Sequence, residues 1–156
     1  MSKPFLLPLE AAPSASIAPA KQSSIDGPPV SPVAEGGIVL VVEDERSNRS
    51  LMGRMLLTLG YRAEFATNGA EAVHAFVPGR FFAILMDIQM PVMDGITATT
   101  RIRAIESNCR VPIIALTANV TPRDRAHCRA AGMDEFLPKP FKRSELAAAL
   151  AIFAAH

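Results

Sequence analysis

Residues Phe81 to Met86 form a near-continuous apolar run that stops on a carboxylate, Asp87, and gives way to a loop carrying Pro91 and Asp94-Gly95. Such a run reads as a strand buried on both faces, the pattern of a parallel sheet covered by helices on either side. Sheets of this kind place their chemistry beyond the carboxyl ends of their strands. Asp87 therefore has two readings: the central group of a site, or nothing more than the end of a strand. The rest of the chain decides between them.

Three further runs have the same character. Ile38 to Val42 is a short β-branched run ending on Glu43-Asp44-Glu45, and Val111 to Thr117 is another, with Pro112 tolerated only near its start. Glu135 to Pro138 is a shorter strand followed by Lys139-Pro140. Arg62 to Ala66 alternates instead, as an outer strand with one wet face does.

Helices fill the intervals. Leu51, Met52, Met55, Leu56 and Leu59 make an amphipathic stripe that Gly60 stops. Asn68-Gly69 turns the chain into a short helix over Ala70 to Phe76, ended before Pro78-Gly79. A third helix is expected to turn Ile96, Thr99, Ile102 and Ile105 inward. In Thr121-Pro122, Thr is the N-cap and Pro the first helical residue, and Gly132 is the expected C-cap of that fourth helix. Its inward candidates are Ala126, Cys128, Ala130 and Ala131. Ser144 to Ala155 is the last helix, with Leu146, Leu150 and Phe153 facing in.

Five strands alternating with five helices make an α/β, doubly wound parallel sheet. Strand order 2-1-3-4-5 is expected, with a crevice between the first and third strands at the switch point. That order brings Glu43 and Asp44 to Asp87, and Thr117 and Lys139 end the next two strands on the same edge. Five chemically useful groups at four strand ends favour the site reading of Asp87. The Lys139-Pro140 bond is expected to be cis, because Lys139 must turn its ammonium into the site and an X-Pro bond makes this cost only ~0.5–1 kcal/mol.

Residues 1 to 36 are a different material, rich in Ala, Pro and Ser, and are expected to be a disordered tail or linker ahead of a domain at 37–156. Pro8 and Glu10 interrupt the apolar start too early for a secretory signal. No apolar run approaches the ~20 residues of a membrane span. The net charge of +1 implies no nucleic-acid partner, and Cys109 and Cys128 fit a reduced, cytoplasmic setting without disulfide or metal-ligand spacing.

With these residues in place the chain resembles the receiver domain of two-component response regulators, especially those attached to hybrid sensor kinases. The motifs are Val41-Val42-Glu43-Asp44-Glu45, Leu85 to Gly95, Ile114 to Asn119 and Phe136-Leu137-Pro138-Lys139-Pro140, with Asn48 matching an Asn common in hybrid-type receivers. The likeness runs from about Ile38 to Phe153 and implies a flavodoxin-like fold. It implies that Asp87 is the phosphoacceptor, taking a phosphoryl group from a histidine kinase or a histidine phosphotransfer domain. It also implies that Asp44 and Glu43 hold Mg2+, that Thr117 bonds the phosphoryl oxygens, that Lys139 pairs with their charge, and that Phe136 is an aromatic switch.

The chemistry suits those residues. A carboxylate attacking a heavily negative phosphoryl group needs its charge neutralised, and magnesium prefers about six oxygens in octahedral array. Asp44, Asp87 and the Gln89 backbone carbonyl would coordinate directly, and Glu43 through water or directly. Gln89 and Asn119 flank the path of attacking water. The product, an acyl phosphate, makes the domain a timed switch or relay intermediate and not an enzyme acting on other substrates. A phosphatase using an aspartyl intermediate would need a second acid where Gln89 stands. A nucleotide binder would need a Gly-rich loop where Glu43-Asp44-Glu45 stands. A docking module without chemistry would lack the acceptor, Thr117 or Lys139. The three histidines and Leu57 are expected at the surface, and Met86, Met90 and Met93 in packing around the site.

Overall fold

The computed structural model describes residues 36–118 and 121–154, so the expected tail lies outside it except for Gly36. The elements are β1 (Ile38–Val42), α1 (Arg46–Thr58), β2 (Arg62–Ala66), α2 (Gly69–Ala75), β3 (Ala83–Asp87), α3 (Gly95–Ile105), β4 (Ile113–Thr117), α4 (Pro122–Ala131), β5 (Glu135–Pro138) and α5 (Arg143–Ala154). The strands form one parallel sheet in the order β2-β1-β3-β4-β5, as expected.

Because strand side chains alternate, each central strand feeds two cores. Leu40, Val42, Ile84, Met86, Ile113 and Ala115 face the layer holding Ala72, Ala98, Ile102 and Cys128 from α2, α3 and α4. Val39, Val41, Leu85, Ile114 and Leu116 face the layer holding Met52 and Leu56 from α1 and Leu146 and Leu150 from α5. Helices on both faces are what the continuous apolar runs require.

The caps are those the sequence spells. Thr121 accepts from the Asp124 N–H and Asp124 returns the bond, a capping box with Pro at the helix start. Gly132 closes α4 in the left-handed region at φ 112°. Asn68 and Asp94 cap the starts of α2 and α3, their side chains accepting from the Glu71 and Thr97 N–H groups. The Lys139-Pro140 bond is cis.

Several expectations of facing are corrected. Leu51 and Ile105 are exposed (47% and 43%), because α1 and α3 each lean one narrow stripe on the sheet and these residues lie at its margin. Ala126 and Ala130 are also exposed, leaving Cys128 as the one fully buried residue of α4 and Ala131 half-buried. Phe81, Val111 and Pro112 precede their strands, although Phe81 and Val111 are buried.

Candidate functional site

The register assembles the site. Val42 of β1 lies opposite Met86 of β3, so Glu43 and Asp87, one residue further along each chain, emerge side by side. Asp87 pairs with Leu116 of β4, and Thr117 with Pro138 of β5, which places Thr117 and Lys139 on the same edge. Glu43, Asp87 and Thr117 are buried at 1%, 7% and 5% exposure, while Asp44 is exposed.

Lys139 stands between the two buried acids. Its Nζ donates to Glu43 Oε1 at 3.1 Å and to Asp87 Oδ2 at 3.4 Å. The other Glu43 oxygen accepts from the Glu45 backbone N–H at 3.2 Å and from Asn48 Nδ2 at 3.3 Å. Arg49 Nη1 donates to the carbonyl oxygens of Glu43 and Asp44 at 2.9 and 3.0 Å, so α1 holds the acidic loop from behind. Asp87 Oδ1 accepts from the Gln89 N–H at 3.3 Å. Gly95 lets α3 start against this loop: its N–H donates to Ile88 O at 2.9 Å, and a Cβ there would lie 2.1 Å from the Asp87 carbonyl oxygen.

Two acids therefore share one ammonium, and they divide it unequally. Burial, with the neighbouring Glu43 charge, pushes the Asp87 carboxyl up to about 6 against the pull of Lys139 and the Gln89 N–H. Burial also pushes Glu43 up, but hydrogen bonds from Lys139, the Glu45 N–H and Asn48 outweigh it and hold that carboxyl low. Lys139 loses hydration, yet the two carboxylates keep it firmly protonated.

Carboxylate oxygens of Glu43, Asp44 and Asp87 lie within 4.8 Å of one another. An all-oxygen set of that compactness, three carboxylates of which only two share an ammonium, fits a hard divalent cation such as magnesium. A cavity of about 260 Å³ runs from Asp87, Thr117 and Lys139 under the edge of α4, past His127 and Cys128.

Each residue expected at the site is accounted for except Asn119, which lies outside the described residues. Gln89 sits exposed at the rim, and His74 and His127 are exposed. Phe136 is buried, with Arg125 and Arg129 of α4 over its ring at 4.7 and 5.0 Å from guanidinium carbon to centroid. Sequence reasoning missed Arg49 and this arginine pair. The available signal was the i,i+4 spacing of Arg125 and Arg129, which shows a shared helix face but not what lies beneath it.

A family sequence model described as the response regulator receiver domain matches residues 39–151. Hybrid signal transduction histidine kinase B of Dictyostelium discoideum is 40% identical over 69% of this chain, which spans only 6% of that protein. The transcriptional regulatory protein PrrA of Mycobacterium bovis is 38% identical over 70% of the chain and 46% of its own length. Among solved structures, the receiver domain of sensor histidine kinase PA1611 from Pseudomonas aeruginosa has a TM-score of 0.71 and 46% identity, covering 78% of this chain and 99% of that one. Its crystals hold a magnesium ion coordinated in the active-site cleft. The Ssk1 receiver of Saccharomyces cerevisiae, crystallised with the histidine phosphotransfer protein Ypd1, has a TM-score of 0.71 and 30% identity, covering 76% and 89%.

Proposed function

The chain belongs to the response regulator receiver domain family of two-component signalling, and from that premise we propose that Asp87 accepts a phosphoryl group from a phosphohistidine. The observation that carries the assignment is the shared ammonium: Lys139 bridges Glu43 and Asp87 at the mouth of a crevice whose other wall is Thr117.

In the reaction an Asp87 carboxylate oxygen attacks phosphorus in line with the departing imidazole. The P–N bond breaks, its electron pair stays on the donor histidine, and a P–O bond forms on Asp87. Magnesium held by Glu43, Asp44, Asp87 and the Gln89 backbone carbonyl would supply neutralisation between two negative reactants. With a loose transition state, positioning and charge stabilisation are most of the catalysis. Lys139 contributes by leaving Asp87 for the phosphoryl oxygens, and Thr117 by donating its hydroxyl to them. Gln89 at the rim would limit the approach of water and so set the lifetime of the acyl phosphate.

The donor is proposed to be a histidine kinase or a histidine phosphotransfer domain. The pairing of the Ssk1 receiver with Ypd1 supports it, as do the hybrid kinases among the relatives. The chain spans 3–7% of the first three of these kinases.

Incubating the protein with acetyl phosphate and magnesium should add one phosphoryl group by intact mass, and Asp87→Asn or chelation should abolish it. Undiminished labelling of Asp87→Asn would refute the assignment. Mass is the suitable readout because the chain has no Trp.

A further inference from the structure

Strand β2 ends the sheet, with β1 on one side and no described strand on the other. The Arg62 N–H donates to Gly37 O and Ala66 O accepts from the Glu43 N–H, so alternate residues of β2 turn their backbone groups toward β1. Ala63 and Phe65, between them, turn theirs outward along a free edge. Proteins commonly blunt such edges with proline, a bulge or lysine. This edge has none of these, and its pairing with β1 runs unbroken from Arg62 to Ala66. Beside it, β2 and α1 enclose an open groove of about 640 Å³, to which Phe65 (47% exposed) and Leu57 (60%) give an apolar surface. Gly53 shapes the groove: a Cβ there would stand 2.8 Å from Phe65 Cζ, so the ring lies against bare helix. Glycine inside a helix is destabilising relative to alanine, so α1 gives up stability to seat this ring. The lining includes two exposed cations, Arg54 and Arg62, and no acid. Among the described residues neither arginine forms an ion pair, whereas Glu64, the acid of β2, is paired with Arg80.

We propose that the free edge of β2 binds an extended segment of a partner protein as an added strand, with apolar side chains in the groove and acidic ones toward Arg54 and Arg62. The outward N–H and C=O groups of Ala63 and Phe65 supply the main-chain bonds. The alternation of the added strand sends every second side chain over Phe65 and Leu57. The two arginines select acids for the segment. A second copy of this chain is the weaker fit, because a two-fold contact would set the same arginine-lined groove against itself. None of the groove's lining residues belongs to the phosphoryl site, so the segment holds the domain while Asp87 stays open to its donor. The binding needs no phosphoryl group, and its test stands apart from that of phosphoryl labelling.

The test titrates the full chain with a capped peptide of alternating Val and Glu, followed by backbone amide NMR. The amides of Ala63 and Phe65 should shift, and those of Asp87 and Thr117 should not. Ala63→Pro removes only an outward N–H, which an edge strand tolerates, and should weaken binding about fivefold. Arg54→Glu and Arg62→Glu should each weaken the Val-Glu peptide about threefold or more and strengthen a Val-Lys peptide. Arg101→Glu, which makes the same change of net charge on the exposed surface of α3, should leave both affinities within about twofold. These charge variants decide the matter by themselves if Ala63→Pro does not fold. No binding up to about 1 mM, shifts that avoid Ala63 and Phe65, or charge variants that bind the two peptides as the wild type does would each overturn the proposal. A protein that sediments as a dimer without peptide, and as a monomer after Ala63→Pro, would give the edge to a second copy and overturn it as well.

Discussion

At the scale of the single residue, two positions store energy beside the site. Asp87 is the first, with its carboxyl lifted to about 6 by burial and by Glu43. A raised acid binds its proton more tightly folded than unfolded, so its contribution is greatest below pH 3.8 and is lost as pH rises through 6. The lift corresponds to at most roughly 3 kcal/mol. Without magnesium, Asp87→Asn should therefore melt above the wild type at pH 7.5, with the gap closing near pH 4. Saturating magnesium should reverse the order at neutral pH, because the cation binds the ionised carboxylate. Melting curves that stay parallel across this range would contradict the coupling. Val92 is the second position. Met93 N donates to Pro91 O at 2.7 Å, closing a γ-turn in which Val92 holds φ at 70° while 82% exposed. A β-branched residue there is strained by about 1–2 kcal/mol and buries little in return. Val92→Asn should raise the urea midpoint by the equivalent of about 1 kcal/mol with an unchanged slope. Val92→Gly should gain less, since it also loosens the unfolded chain.

At the scale of the element, α4 differs from its neighbours in how it is held. Helix α1 buries Met52 and Leu56 and half-buries Met55 and Leu59, whereas α4 fully buries Cys128 alone. Each buried methylene contributes about 0.8 kcal/mol, so the face of α4 is a weak anchor. Its carboxyl end is secured by other means. Arg103 donates to Gly132 O at 3.0 and 2.7 Å, and its guanidinium also reaches Glu106, Asp134 and the Val111 carbonyl. Asp134 in turn accepts from the Ile113 N–H at 2.9 Å, so one guanidinium ties α3, β4 and the end of α4 together. Arg103→Ala should cost roughly 2 kcal/mol by stripping the Val111 carbonyl and Glu106 of their guanidinium, while Arg110 still reaches Gly132 O and Asp134. Arg103→Lys should recover little, because an ammonium cannot fork between them; denaturant melts of both variants check this. A helix clamped at Gly132 and lightly packed elsewhere moves most at its start, beside Thr117. Amide exchange with and without beryllofluoride should therefore change most, outside the site loops, in α4, β5 and the first turn of α5. Thr117→Ala should shrink that difference. Changes confined to α1 and α2 would point to a domain that only passes its phosphoryl group onward.

At the scale of the whole molecule, both cores are built from residues between Ile38 and Phe153. A chain starting at Glu35 is therefore expected to keep its melting temperature and its labelling by acetyl phosphate; a large loss in either would mean that the preceding residues support the domain. What the sequence determined by itself was the list and order of elements, because apolar period, Thr121-Pro122, Gly132 and Asn68 act over a few residues through local sterics and hydrogen bonds. It also determined that Glu43, Asp87, Thr117 and Lys139 end parallel strands on one edge, since strand direction follows from the alternation with helices. Only the tertiary structure decided how those ends meet. The Val42–Met86 register sets Glu43 beside Asp87, and Lys139 then sits nearer Glu43 than Asp87. The same closure left Leu51, Ile105, Ala126 and Ala130 in solvent, although their helical spacing alone would have turned them inward. It also laid Arg125 and Arg129 on Phe136 and bent Val92 into a left-handed turn. Contacts of this kind join residues far apart in the chain, and their partners exist only once the sheet has brought its edges and helices together.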